Sequence, residues 1–280
     1  RDRSYAEAQK LDEPMIGQTV GVVEASSNKD FAVGDTVVGS MGWQEYALSN
    51  GEGLLKVQEG AVPLSAYLGP VGMPGVTAWY GVKEICQPKQ GETFLVSAAS
   101  GAVGSVVGQL AKAAGCRAVG IAGGPAKCSY VVDELGFDAC LDHKQFENWH
   151  DLAGALRKAA PDGIDCHFEN VGGKCLDAAL ACMNPFARIA LCGLIAGYNE
   201  QDIALRNVSA LLISRVKLQG FIVTDRMDLW PPALAELGKG VATGQLKYRE
   251  TISQGLASAP GAFIGLLKGE NFGKQLVKLA

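Results

Sequence analysis

The run Phe94-Leu-Val-Ser-Ala-Ala-Ser-Gly-Ala-Val-Gly-Ser-Val-Val-Gly108 carries a strand, a glycine turn and a helix start in one unbroken stretch. Its opening residues are apolar or small, as a strand buried on both faces requires. Gly101, Ala102, Val103 and Gly104 make the turn. With no side chain at Gly101 or Gly104, backbone amides can approach a pyrophosphate, and the N-terminus of the following helix adds partial positive charge. Gly108 lets that helix sit close to the sheet. The spacing is A-x-x-G-x-x-G rather than the commoner G-x-G-x-x-G, so a purely packing role for the glycines is the competing reading.

Downstream the same rhythm repeats. From about Gly75, apolar runs at Thr93–Ser97, Arg117–Ala122, Ala139–Leu141, Ile164–Glu169, Phe186–Cys192 and Lys217–Val223 alternate with helical patterns at Gly101–Ala114, Ala126–Leu135 and Trp149–Ala160. In the last of these, Trp149, Leu152, Ala153 and Leu156 recur at i, i+3, i+4 and i+7, one face of a helix. Six such strands predict an open parallel sheet with helices on both faces. Upstream, Gln18–Glu24, Val33–Gly39 and Gly42–Leu48 read as short strands with glycine turns, a small barrel or sandwich. After Val223 the pattern breaks at Trp230-Pro-Pro232, and a helix near 233–244 and short β-like pieces follow. That tail is too short for its own core and is expected to pack on the first region. The expected organisation is therefore an α/β domain over 73–223, inserted between 1–72 and 224–280 of a β domain.

Composition narrows the function classes. The 280 residues carry a formal net charge of -4, with 48% hydrophobic and 19% charged residues, which excludes a disordered chain. Mild acidity and the lack of a Lys/Arg-dense run argue against nucleic acid as a partner. The eight Cys form no C-x-x-C and mostly sit in apolar runs, as buried free thiols in a reducing compartment do. No signal-peptide pattern is present. Thr93–Ala111 is uncharged and contains Gly104 and Gly108 at G-x-x-x-G spacing, but its Gly, Ser and Gln content argues against a membrane span.

The end of the second strand indicates which dinucleotide binds. An NAD site offers Asp or Glu there, about 20 residues past the first glycines, to hold the ribose hydroxyls. This chain reads Ile121-Ala-Gly-Gly-Pro-Ala-Lys127, with no carboxylate and a lysine within one turn. Lacking the acid, the site does not repel a 2′-phosphate, and Lys127 attracts it, by about 1.5–3 kcal/mol for one charge-assisted contact. NADP(H) is the cofactor this predicts. Lys127 as a solvated helix residue is the alternative.

Four stretches now carry a resemblance: Ala98–Gln109, Phe168-Glu-Asn-Val-Gly-Gly173, Cys192-Gly-Leu-Ile-Ala-Gly-Tyr-Asn199 and Asn271-Phe-Gly-Lys274. In this order they resemble the zinc-independent medium-chain reductases of the prostaglandin reductase, leukotriene hydroxydehydrogenase and curcumin reductase type, together with the plant alkenal double-bond reductases. The resemblance implies a Rossmann-type six-stranded parallel sheet domain inserted in a GroES-like β-barrel catalytic domain. It implies NADPH-dependent reduction of the C=C bond of an α,β-unsaturated ketone or aldehyde. By the same likeness, Gly101–Gly104 hold the pyrophosphate and Lys127 the 2′-phosphate. His143 stands where relatives often carry a tyrosine that touches this phosphate. Asn170, the run from Cys192 and Gly193 to Tyr198, Phe221, Ile222, Val223, and Asn271 match positions lining the nicotinamide half. The family runs to about 330–350 residues, so the comparison implies that roughly the first 50–60 are absent, including part of the catalytic domain and an active-site tyrosine just upstream of Arg1. A homodimer joined near Lys217–Val223 and a cytoplasmic location follow from the resemblance alone.

The chemistry demands little of the protein. A hydride goes to the β-carbon, charge builds on the carbonyl oxygen, and a proton reaches the α-carbon. A hydrogen-bond donor at that oxygen lowers the barrier. Tyr198 is the candidate catalytic donor, since a phenol with an ordinary pKa near 10 stays protonated at neutral pH. A tyrosine that merely packs at a strand end is the competing reading. No metal is expected: His143, His150 and His167 form no H-x-x-x-H, and no Cys–His group has ligand spacing. Cys192 reads as a packed small residue, His167 as a structural strand residue, and Trp43 with Tyr46 as core more than cleft border. A quinone reductase of the same superfamily and a non-catalytic NADPH-binding protein are the two other readings.

Overall fold

The computed structural model describes residues 8–199 and 203–279. Strands β1 (Thr19–Val22), β2 (Thr36–Gly39) and β3 (Leu55–Val57) form a three-stranded antiparallel sheet in that order. The expected strand over Gly42–Leu48 is not formed. Gly42 turns with φ +77, and the amides of Gly42 and Trp43 go to Gly17 and Met15 carbonyls at 3.0 and 2.8 Å, so no edge is left to pair with β2. The third strand is instead Leu55–Val57, whose three residues are too few to show a period.

Helix α1 (Met73–Tyr80), continued by a π turn over Gly81–Cys86, leads into the α/β region. There β4 (Thr93–Ser97), α2 (Gly104–Ala113), β5 (Arg117–Ala122), α3 (Pro125–Ser129), β6 (Ala139–Asp142), α4 (Trp149–Ala159), β7 (Ile164–Glu169), α5 (Gly173–Leu180), β8 (Met183–Leu191), α6 (Ser209–Ile213) and β9 (Lys217–Gly220) follow in turn. All six strands are parallel, in the order β6-β5-β4-β7-β8-β9. This is the doubly wound order, with both faces of the sheet covered. Phe94 and Val96 point into one core with Val106, Val107 and Phe168, while Leu95 points into the other with Val119, Ile121, Leu152 and Leu156. Every residue of β4 is buried, which is why the stretch Phe94–Val96 is apolar and carries no charge. Each fully buried Leu or Phe stabilises the fold by about 1.5–3 kcal/mol.

Local signals set the helix ends. Asn148 caps α4, its side chain accepting from the amides of His150 and Asp151 at 2.9 and 3.0 Å. Leu152, Ala153 and Leu156 then face the core as their spacing predicts, with Trp149 packed at its edge. Gly108 differs in detail from expectation. A Cβ there would lie 1.7 Å from Phe137 Cζ, so the glycine admits a ring from the turn before β6 rather than the sheet itself. The last strand stops at Gly220, and Phe221 leaves the sheet to meet Tyr80 and Phe168 edge-on, at 4.9 and 6.0 Å.

The tail forms α7 (Trp230–Ala242), β10 (Glu250–Gln254), α8 (Ala259–Leu267) and β11 (Lys274–Lys278), with β10 and β11 paired in parallel. It reaches back to the first region, where Phe263 meets Trp43 edge-on at 5.8 Å. It also touches the α/β region: α7 packs on α1, and the Gln109 side chain exchanges two hydrogen bonds with the Lys247 backbone at 2.7 and 2.8 Å.

Candidate functional site

In this strand order the helical connections diverge between β4 and β7, which opens a crevice beyond the carboxyl ends of the strands. The glycine turn lies there. Ala98 leaves β4 in the left-handed region (φ 49), and Gly101 N–H returns to its carbonyl at 2.9 Å. A Cβ at Gly104 would sit 2.4 Å from Ala98 O and 2.9 Å from its carbonyl carbon, so only glycine lets α2 start this close to the strand. The first turn of α2 has no acidic residue and no side-chain cap. A glycine turn leading into an uncapped helix N-terminus fits a diphosphate.

The tail closes one side of the crevice. Gly273 makes a backbone bridge to Gly101, and Asn271 Nδ2 donates to Gly273 O at 2.8 Å. Gly273 has φ +67, and a Cβ on it would lie 1.9 Å from Arg249 O. The Asn271–Lys274 motif thus needs its glycine to lie against the turn.

A basic cluster stands at the ends of β5 and β6. Lys127 Nζ donates to Gly269 O at 2.7 Å. Burial, and then the nearby Lys144, push the Lys127 amine below its ordinary pKa. Burial likewise lowers the His143 imidazole, helped by Lys174, Lys144 and Lys127 and opposed by Asp142. Lys174 Nζ holds this loop by donating to the carbonyls of His143 and Phe146 at 3.0 and 2.6 Å. The stretch 121–127 indeed has no carboxylate, but Asp142 reaches in from β6. Its Oδ1 accepts from the amides of Gly124 and Lys144, at 2.8 and 3.0 Å. Sequence reasoning missed Asp142, Lys144 and Lys174. The His143-Lys144 pair directly after a strand was the available signal for Lys144; Lys174 is brought in by α5 from 30 residues away and left none.

The other end of the crevice is built on β4, β7 and β8. Asn170 N–H donates to Ser97 Oγ, and its Nδ2 donates to Ser97 O, both at 2.8 Å. The amides of Cys192 and Gly193 donate to Glu169 O at 2.9 and 3.1 Å. Burial, and then the Glu169 charge, push the Cys192 thiol up to about 12. Tyr198 is 58% exposed, in a 3-10 turn over Ile195–Asn199. That turn is tied down by Ile195 N–H to Asn170 O and Ala196 N–H to Val171 O, at 3.1 and 3.0 Å. Phe221 and Val223 turn their side chains into the core, which leaves Ile222 half-buried between them. Tyr46 is 72% exposed rather than core. The structure therefore brings Gly101–Gly104, Asn170, Cys192, Gly193 and Asn271 to one edge of the sheet, with Lys127 and His143 as a separate cluster beside them. Among the described residues, no group of three or more His, Cys, Asp or Glu could hold a metal ion, and no helix is long and apolar enough to cross a membrane.

Known proteins share this fold. Residues 102–239 match the family described as zinc-binding dehydrogenase, and residues 1–57 match an N-terminal domain of oxidoreductase. The chain is 44% identical over 284 residues to the NADPH-dependent curcumin reductase of Escherichia coli, covering 99% of this chain and 81% of that one. It is 44% identical over 279 residues to the NADP(+)-dependent 2-alkenal reductase of Nicotiana tabacum, covering 99% and 80%. The crystal structure of CurA in complex with NADPH from Vibrio vulnificus superposes with a TM-score of 0.91 at 48% identity, covering 100% of this chain and 84% of that one.

Proposed function

Because the chain belongs to the medium-chain reductase family of the curcumin and 2-alkenal reductases, we infer that it reduces the C=C bond of α,β-unsaturated ketones and aldehydes with NADPH. The observation that carries the choice of cofactor is the cluster of Lys127, His143, Lys144 and Lys174, whose one nearby carboxylate, Asp142, is taken up by backbone amides. In this reading Lys127, with His143 and Lys144 beside it, takes the 2′-phosphate, and Lys174 holds their loop in place. The Gly101–Gly104 turn, with Ala102 and Val103 between the glycines at the N-terminus of α2, takes the pyrophosphate. Asn170, the Cys192–Gly193 bend, Ile222 and Asn271 shape the nicotinamide end, with Phe221 and Val223 acting from behind through the core. Bound there, NADPH supplies the hydride for the β-carbon. Tyr198 donates a hydrogen bond to the substrate carbonyl oxygen as charge gathers on it, and its hydroxyl is the proton source for the α-carbon. The exposure of Tyr198 at the rim supports contact with a substrate that enters from solvent.

The wider organisation belongs to the same proposal. Residues 73–223 form the NADP-binding domain, and 1–72 with 224–280 the GroES-like catalytic domain. The Trp43–Phe263 contact supports joining the two outer parts. A second copy of the chain covers the β9 edge, where Val208, Leu212 and Ile213 stand exposed. All eight cysteines are free, which supports a cytoplasmic location. The test is NADPH oxidation with a medium-chain enone, with NADH and a quinone in parallel. Enone-dependent turnover that is weak with NADH and falls about 100-fold or more in Tyr198→Phe supports the whole reading. Turnover with the quinone alone would replace it, and a fully active Tyr198→Phe would reassign the donor.

A further inference from the structure

Ser97, His167 and Glu169 are fully buried polar side chains beneath the Asn170 turn, each 0% exposed. His167 Nδ1 lies 3.1 Å from Leu95 O, and Nε2 lies 2.7 Å from Glu169 Oε2. A carbonyl oxygen only accepts, so Nδ1 carries a proton. The contact between Nε2 and Oε2 then needs one more proton, held by either partner. Histidine and glutamate are thus a single proton-sharing unit with no net charge. The other carboxylate oxygen, Oε1, accepts three donors: Ser97 Oγ–H at 2.7 Å, Gly172 N–H at 3.0 Å and Val171 N–H. Ser97 Oγ, having donated, accepts from Asn170 N–H at 2.8 Å.

Through its side chain Glu169 therefore holds the turn from Asn170 to Gly172. Through its backbone carbonyl it holds the Cys192–Gly193 bend. Burial alone would raise the Glu169 pKa, but the charge and hydrogen bond of His167, with Ser97 and the Val171 amide, hold it below its ordinary value. Three donors converging on one oxygen favour the carboxylate over its protonated acid. A strand end that served packing alone would carry an apolar residue here, since buried charge is costly unless fully partnered.

Resting on the functional reading above, we propose that Glu169 is a positioning residue. Locked by His167 and bridged by Ser97, it sets Asn170 and the Cys192–Gly193 bend against the redox end of the bound cofactor. The two walls of that end share one anchor residue.

The test compares Glu169→Ala, Glu169→Gln and Ser97→Ala with Asp165→Ala. Asp165 serves as control because it lies at the opposite end of β7, where its carboxylate accepts from Thr93 N–H at 2.9 Å and Asn184 Nδ2 at 2.8 Å. NADPH Kd is read by fluorescence titration, alongside kcat, enone KM and the urea midpoint. Glu169→Ala and Ser97→Ala are expected to raise Kd and lower kcat by at least about 10-fold each, with enone KM within about 3-fold. Glutamine still accepts from Ser97 and the two amides and can donate to Nε2. Glu169→Gln is therefore expected to recover Kd to within about 3-fold of wild type. Asp165→Ala is expected to lower the urea midpoint and leave Kd alone. If Glu169→Ala does not fold, Ser97→Ala, which removes one oxygen, decides. Wild-type Kd and kcat in Ser97→Ala, or an equal Kd loss in Asp165→Ala, would overturn the proposal while NADPH binding by the wild type upholds the functional reading. A wild type that does not bind NADPH would overturn both.

Discussion

Replacing Lys127 with alanine removes two contacts of different kinds. One is the hydrogen bond from Nζ to Gly269 O at 2.7 Å, which ties α3 to the tail whichever nucleotide is bound. The other is the contact to a 2′-phosphate, which only NADPH offers. The first contributes about 0.5–1.5 kcal/mol and is lost for NADPH and NADH alike. The second, a charge-assisted bond from a half-buried amine, contributes about 1.5–3 kcal/mol, or roughly 10- to 150-fold in affinity. Lys144 and His143 remain in Lys127→Ala, so discrimination falls without vanishing. The expected result is a drop of about 10- to 100-fold in the ratio of NADH Kd to NADPH Kd, with NADH itself weakened less than about 10-fold. The assay is fluorescence titration of both nucleotides at one fixed ionic strength, since salt near 0.1 M screens exposed charges beyond about 10 Å. An unchanged ratio with both affinities lowered equally would refute the reasoning and leave Lys127 as a tie to the tail only.

Gly108→Ala places a methyl group 1.7 Å from Phe137 Cζ and should cost about 1–3 kcal/mol by overpacking, read as a lower urea midpoint. Adding Phe137→Leu should return part of that loss, and strictly additive single effects would refute the contact. Glu92 pairs with Arg188 at 2.7 Å; burial would raise its pKa, but the Arg188 bond and the Lys89 amide hold it below its ordinary 4.5. A lowered carboxylate contributes stability that is present above pH 4.5 and lost as pH falls through that value towards the folded pKa. Thermal melts should therefore show wild-type Tm falling below that pH, with a flatter profile and a lower neutral-pH Tm in Glu92→Gln; a steeper profile in the variant would contradict this. Cys192, its thiol raised to about 12 by burial and then Glu169, should react with iodoacetamide at pH 8 about 1,000-fold more slowly than an ordinary cysteine, as read by peptide mass spectrometry. Rapid labelling there would show that the carboxylate and the buried setting do not govern it.

The legible parts of the chain share a physical cause. The inner strands β4, β5 and β7 are almost wholly buried, so burial writes itself as runs such as Thr93–Ser97, and all six runs correspond to strands. The turn at Gly101–Gly104 was legible because one carbonyl, Ala98 O, leaves no room for a Cβ at Gly104. The edges were not. Gly42–Leu48 alternates enough to suggest a strand, yet its amides are taken by Gly17 and Met15, a pairing no periodicity encodes. The edge-on contacts of Phe221 with Tyr80 and Phe168 likewise have no signal in the chain's periodicity.

By itself the sequence determined whatever depends on neighbours along the chain: strand runs, helix periodicity, and which turn residues must be glycine. Tertiary structure alone decided whatever depends on strand order. Because β4 lies beside β7, Ser97 meets Glu169 and Asn170 across 72 and 73 positions, and a histidine that reads as a strand filler becomes half of a buried proton-sharing pair. Because β5 lies beside β6, His143 and Lys144 come to stand next to Lys127, and Lys174 joins them from α5. Hydrogen bonds and charges act over a few ångströms in space, whatever the separation along the chain, so these partnerships exist only once the sheet has set which strands are neighbours.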